Sequence, residues 1–431
     1  MRPRERGDGA GDSDRATARE LYQRIFAADQ VLDDPYPLLR RLSDAGPVLQ
    51  VEDGVWAATS WSACRAVLRD PAFGIDAEAA CRLRGGTGWR AHPALRLLSR
   101  TLLVLNPPEH SRARQAVATW FTPDRIAAMG ASIGRVADGL LDALPADRPA
   151  DLIAGFADRL PLGVVQPVLG VEEWPFGDFR QQTMEFNLLL ERAPTRAHLD
   201  RADAAAEAIG ECLRILIDRR RRDPGGPEDL ISHLLRASAA GEIEEQEITP
   251  LVFQIFNASY QTTASLLGSM LQVLLGGGVE PHRLARDGQA AAAVVNEVLR
   301  TDPPVQSTGR HALRTTRLGD HRIPAGDFVV AVLAAGNRDP ERFDAPDEFR
   351  LDRPPGQSLS FGWGVHYCLG AGLAVLEAQI AAERLAARFP GMRAAGEPRR
   401  WPTANMRSFQ SFDVLLGTRG DGPDRQPGAR V

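Results

Sequence analysis

One segment, Glu247 to Leu275, constrains the fold of this chain more than any other. It is apolar along most of its length and stops at Gly276-Gly277-Gly278. That pattern predicts a single helix about 40 Å long at roughly 1.5 Å per residue, enough to cross a whole domain. Only a sizeable core can surround such a helix, and a chain of 431 residues with 44% hydrophobic residues can build one. The middle of the segment is polar: Asn257, Ser259, Tyr260, Gln261, Thr262 and Thr263 stand close together. An ordinary buried helix with satisfied hydroxyls is the plainer reading. So many polar groups on a helix apolar at both ends point instead to a cavity wall, because buried polar groups require partners.

Composition excludes several alternatives. All 51 basic residues are arginine, against 56 Asp plus Glu, for a net charge of -5. With no basic excess to neutralise a phosphate backbone, nucleic acid is not the expected partner. The four cysteines, Cys64, Cys81, Cys212 and Cys368, lie far apart without a C-x-x-C pair, so neither a disulfide framework nor a structural zinc site is expected. Met1 to Ala18 is rich in Arg, Asp and Gly and reads as neither signal peptide nor membrane anchor. The expectation is a soluble cytoplasmic protein with no membrane association. Residues 1–18 and 418–431 are expected to be disordered around a single domain at 19–417.

The pattern from Arg19 to Arg222 is mostly helical. It is interrupted by Pro47 to Ser60, which reads as two short strands turned at Asp53-Gly54. Phe73 to Asn106 is weakly periodic and reads as a long functional loop. Arg219 to Arg222 before Asp223-Pro224-Gly225-Gly226 marks a helix end. Further on, Arg310 to Leu333 alternates like a small sheet, Pro340 to Gly356 is a proline-rich meander, and Ala371 to Phe389 is a second strong helix. The fold class is therefore mainly α with small β-sheets.

The segment most specific for chemistry is Ser360-Phe361-Gly362-Trp363-Gly364-Val365-His366-Tyr367-Cys368-Leu369-Gly370. Glycines permit a tight loop, and Cys368 falls just before a helix whose free N–H groups favour a thiolate. An axial sulfur ligand to iron needs such a setting. A lone cysteine there is more often a core residue, but F-x-x-G-x-H-x-C-x-G as a whole is much rarer. With this pattern the chain resembles the cytochrome P450 family, from about Tyr22 to Leu416, and the resemblance implies that fold: a triangular helical prism with the long helix lying over a haem b cofactor.

Several residues take family roles by that resemblance. Cys368 is the expected iron ligand, with Phe361 and Gly370 framing it. Glu297-Val298-Leu299-Arg300 matches the family's E-x-x-R, although Glu and Arg three apart are usually just a surface ion pair. Asn106 to Arg114 looks like the family's D-P-P-x-H-x-x-x-R with Asn106 in place of aspartate. His110 and Arg114, one helical turn apart, would reach the haem propionates together with Arg310 and His366.

The central helix departs from the family. Where relatives usually have A-G-x-(D/E)-T-T, this chain reads Ala258-Ser259-Tyr260-Gln261-Thr262-Thr263. Thr262 is retained, Ser259 replaces glycine, and Gln261 replaces the acid that helps to relay protons. An amide holds water but loses no proton near neutral pH. Three readings remain open: a monooxygenase that hydroxylates or epoxidises a natural-product intermediate in secondary-metabolite or antibiotic biosynthesis; an oxidase that couples or desaturates an aromatic or peptide precursor without inserting oxygen; and a weakly active haem protein that binds a ligand. By resemblance, the substrate pocket draws on Phe186, Asn187, Asn257, Ala258, Tyr260, Val305, Gln306, Phe409 and Gln410. Arg82, Arg84 and Arg90 could meet an acidic or carrier-bound substrate, though a solvated face is the plainer reading. The absence of a G-x-G-x-x-G or Walker loop implies electrons from a separate ferredoxin and ferredoxin reductase, docking near Arg112 and the cysteine loop.

Overall fold

The computed structural model describes residues 9–27, 32–145, 147–171, 179–191, 194–223, 225–226, 228–285 and 287–417. Helices dominate, and the longest, the central helix, spans Glu245–Leu275 and contributes to two cores. Its first half, including Phe253 and Phe256, packs with the helix Arg196–Arg222 and the helix Leu230–Ala239. Its second half, including Leu266, Leu267, Met270 and Leu271, packs with the helices Arg159–Val168, Gly288–Thr301 and Ala371–Arg388. Burial on nearly all sides explains why the sequence is apolar around the helix rather than along one stripe.

A five-stranded sheet lies at one side, in the order Val48–Glu52, Val55–Ala58, Phe328–Ala331, Thr308–Ala312 and Phe73–Gly74. The first two strands form the expected hairpin, and Gly54 takes a positive φ of 68° at its turn. Arg310 faces Val329 in the antiparallel pair that follows, and its side chain is buried.

Two expectations need correction. Phe73 to Asn106 is not a loop: it holds the helices Ala77–Gly85 and Pro93–Leu98 joined by a 3₁₀ turn at Gly86–Ala91. Asp76 caps the first by accepting from the Ala79 N–H, and Cys81, Trp89, Leu95 and Leu98 anchor the segment in the core. Its short helices hide the period. At the N-terminus, helix Gly9–Ile25 begins within the stretch expected to be disordered, while residues 418–431 lie outside the described residues. Among the described residues no helix is long and apolar enough to cross a membrane.

The cysteine loop is fastened from behind by a buried ion pair. Arg300 and Glu297 are each 3% exposed, and the guanidinium meets the carboxylate with both prongs, at 2.7 and 2.9 Å. Arg300 also donates to the carbonyls of Asn337, Pro346 and Glu348. Glu297 additionally accepts from the Arg350 N–H and from Arg353 Nε. Asn337 continues the chain of bonds, donating to Ser360 Oγ and accepting from the Leu359 N–H at the head of the loop. This pair is thus no surface contact: it stitches the meander to the loop. On the other side, Arg65 stands between the rings of Trp61 and Trp363, and Gly364, at φ 71°, lies so close to the Leu68 carbonyl that any Cβ would strike it.

Replacing Arg300 with leucine leaves Glu297 short of its main partner in the core. We expect a loss of about 3–5 kcal/mol, read as a lowered urea midpoint. Arg300→Lys should recover only part of it, since a single ammonium does not reproduce the fork.

Candidate functional site

The cysteine loop, the central helix and the sheet together enclose a cavity of about 300 Å³. Cys368 lines it together with Phe361, Gly362, His366, Leu369 and Gly370. The Cys368 N–H donates to the Phe361 carbonyl at 2.9 Å, closing the loop three residues before the helix Ala371–Arg388 begins. Burial pushes the thiol upward, opposed by a bond with the Gly370 backbone and by the Arg114 guanidinium. Among the described residues no group of three or more His, Cys, Asp or Glu forms a metal site, so a metal here would rest on this single sulfur.

The same cavity gathers four basic side chains, His110, Arg114, Arg310 and His366. The two imidazoles meet at a tilt of 55° with centroids 4.3 Å apart. Arg114 donates to the Tyr367 carbonyl at 2.8 Å and Arg310 to the Gly309 carbonyl at 2.8 Å. Neither guanidinium forms an ion pair with a carboxylate among the described residues. Burial lowers Arg310 to about 10, and burial followed by the charges of Arg310, His110 and Arg114 lowers His366 to about 3. Burial and the two arginines lower His110 as well. Two guanidiniums without a carboxylate partner, beside two imidazoles whose protonation they oppose, form a site suited to an anion. A macrocycle bearing carboxylates, with iron to take the sulfur, meets both demands, so these residues fit haem.

Asn106, expected from the family pattern to be aspartate, makes a contact suited to an amide. Its Oδ1 accepts from the Ile75 N–H at 2.9 Å and its Nδ2 donates to the Ile75 carbonyl at 2.7 Å, a reciprocal pair that a carboxylate could only half make.

Along the central helix, Gln254, Ile255, Ala258, Ser259, Thr262, Thr263 and Leu266 line the cavity. The spacing is that of one helical face. Ser259 Oγ donates to the Ile255 carbonyl at 2.6 Å and Thr262 Oγ1 to the Ala258 carbonyl at 2.7 Å. Each hydroxyl therefore offers the cavity its lone pairs.

Such a constellation on such a fold has close counterparts. The Cytochrome P450 family model matches residues 290–391. The chain is 34% identical over 423 residues to the cytochrome P450 monooxygenase PikC of Streptomyces venezuelae, covering 92% of this chain and 97% of that protein. The chain belongs to the cytochrome P450 family. It is also 38% identical to cytochrome P450 107B1 of Saccharopolyspora erythraea, over 73% of this chain and 77% of that one. The ligand-free crystal structure of Mycobacterium smegmatis CYP164A2 superposes with a TM-score of 0.82 at 33% identity, covering 92% of this chain and all of that one.

Several residues expected at the pocket of this P450 lie elsewhere. Gln261 is buried on the far side of the helix, where it bonds with Asn187 and donates to Ser408 Oγ at 3.1 Å. Asn257 donates to Asn187, and Ser408 bonds with Ser265, so these side chains form a polar seam between the central helix, the helix Phe179–Asn187 and the C-terminal hairpin. Phe186 packs edge-on against Phe253 and Tyr260 is buried in the same core. Gln306 donates to the Pro303 carbonyl, Phe409 packs against Gly268 and Arg400, and Gln410 is exposed. Of the nine pocket candidates only Ala258 and Val305 line the cavity. The arginines of the 73–106 segment are also occupied: Arg82 and Arg90 pair with Glu78, and Arg84 donates to the Leu189 and Ala80 carbonyls.

The sequence reading missed Glu377, whose carboxyl lines the cavity from the helix behind the cysteine. It is 2% exposed, its Oε2 has no hydrogen-bond partner among the described residues, and burial raises it to about 8. A signal existed: Leu373, Glu377 and Ala381 stand at i, i+4 and i+8, so an acid interrupts a buried stripe.

Two expectations follow from this geometry. Glu377 keeps its proton in the folded chain between roughly pH 4.5 and 8 while the unfolded chain releases it, so wild-type stability falls with rising pH there by up to about 1.4 kcal/mol per unit. Thermal denaturation across that window should show Glu377→Gln gaining stability over wild type as pH increases. Gln261→Leu should cost about 1–3 kcal/mol by stranding Asn187 and Ser408. It should leave the solvent isotope effect on turnover unchanged, whereas a change would return Gln261 to the proton path.

Proposed function

We propose that this P450 is a haem b monooxygenase acting on a neutral, largely apolar natural-product intermediate, by hydroxylation or epoxidation. In the overall reaction one atom of O2 enters the substrate and the other leaves as water, consuming two electrons and two protons. The observation that carries the reading is the meeting, in one cavity, of the Cys368 thiol, a basic cluster whose guanidiniums pair with no carboxylate among the described residues, and the Ser259 and Thr262 hydroxyls. Haem with a thiolate ligand supplies oxygen activation and O–O cleavage. Arg114, Arg310, His110 and His366 would hold its carboxylates, and Cys368 its iron. Thr262 and Ser259 accept hydrogen bonds from water or substrate, which orders a proton donor at the cavity wall.

The lining supports the substrate class. Leu102, Leu103, Ile255, Ala258 and Val305 are apolar, and the cationic groups are those suited to haem. With Arg82, Arg84 and Arg90 occupied within the protein, the 73–106 segment favours a neutral ligand over an acidic one. Resemblance to polyketide-tailoring relatives supports a place in secondary-metabolite biosynthesis, with free or carrier-bound substrate, in the cytoplasm. Electrons come from a ferredoxin, itself reduced by a ferredoxin reductase. On the cysteine loop Val365 is 52% and Tyr367 44% exposed, leaving an apolar patch for that partner. Arg112, the cation expected to guide docking, is held by Glu247 through bonds of 2.7 and 2.8 Å.

The reduced protein under carbon monoxide should show the red-shifted Soret band of thiolate ligation, and Cys368→Ser should lose it. Wild type without that band would refute the reading.

A further inference from the structure

Gln254 stands on the cavity face of the central helix with no part in the steps above. Its side chain is half-buried and lines the cavity, and among the described residues its amide has no hydrogen-bond partner. A carboxamide carries two donors and an acceptor, and an apolar wall leaves all three unmet. Water can meet them while the cavity is free. A ligand that displaces this water loses affinity unless it brings a matching polar group.

The position of the amide defines where that group lies. Gln254, Ala258 and Thr262 are at i, i+4 and i+8, on one ridge of the helix. The helical rise puts roughly 12 Å between the first and last of them. Between them Ala258 is exposed to the cavity and, as the smallest chiral side chain, leaves room for a substrate body. At the other end, the protons of Ser259 and Thr262 are committed to backbone carbonyls, so those hydroxyls accept hydrogen bonds while Gln254 can donate.

We infer that Gln254 is a specificity-determining residue: its amide donates to a carbonyl or hydroxyl oxygen on a neutral substrate, at a distance on the order of 10 Å from the carbon that reacts at the Thr262 end. The inference rests on the monooxygenase reading and names the chemistry of its substrate. A charged anchor is excluded by the same residue, since an amide gives a carboxylate or ammonium no counter-charge.

Undecan-2-one and undecane test it, because they share a chain length and differ in one carbonyl. Soret titrations of the full-length haem-loaded protein give an affinity for each. In Gln254→Leu the ketone-over-alkane affinity ratio should fall about five- to tenfold relative to wild type, the range expected for one net hydrogen bond. Gln254→Asn, which keeps the amide on a shorter stem, should retain part of the preference. An unchanged ratio in Gln254→Leu, or no spectral response of wild type to either probe, overturns the inference. The carbon monoxide spectrum of each preparation reports thiolate ligation independently, so a failed anchor and a failed haem reading give different results.

Discussion

Glu297 is a carboxylate 3% exposed whose two oxygens accept four hydrogen bonds, two from Arg300, one from Arg353 and one from the Arg350 backbone. Removing a charge from water is unfavourable by several kcal/mol, and only such full satisfaction makes it tolerable. The segment from Asn337 to Ser360 has little hydrophobic core of its own and much turn structure. Its path is set by where Arg300 and Glu297 bind its carbonyls and N–H groups. Because Asn337 passes that order on to Leu359 and Ser360, the position of Cys368 depends on an ion pair on another helix.

The cavity obeys the same rule with opposite sign. At Glu297 the buried charges pair with one another, whereas Arg114 and Arg310 near Cys368 meet backbone carbonyls but no carboxylate among the described residues. A fold that places Arg310 at 6% exposure without an acid holds a penalty that an anionic ligand relieves. The same principle separates the polar residues of the central helix. Asn257, Gln261 and Ser265 face protein and find partners there, while Gln254 faces the cavity and finds none.

Much of this was legible in the residues. The long helix, the hairpin at Asp53-Gly54, the small sheet and the helix after Cys368 follow from period and turn chemistry, which are local. The cysteine motif, His110, Arg114, Arg310 and His366 were legible because a rare pattern carried them as a set. The pocket was harder to read, for a physical reason. Gln261 and Thr262 are adjacent in sequence but about 100° apart on the helix, so one step along the chain separates a residue on the cavity from one in the seam. Counting by fours from Thr262 to Ala258 and Gln254 would have found the cavity face. Phe186, Gln306 and Phe409 needed more, since nothing in their neighbourhoods tells which of two packed surfaces they meet.

By itself the sequence determined a mainly helical domain, a cysteine presented on a glycine-rich loop, and membership of a family that binds haem, because periodicity and a rare motif survive without knowledge of long-range contacts. Only the tertiary structure decided that Glu297 and Arg300 are buried partners of the meander, that Glu377 and Gln254 open onto the cavity, and that Gln261 turns its back on it. Burial, pairing and direction are properties of what surrounds a side chain, and that surrounding comes from segments far apart along the chain, as with Asn187, Gln261 and Ser408, whose bonds span 74 and 147 residues.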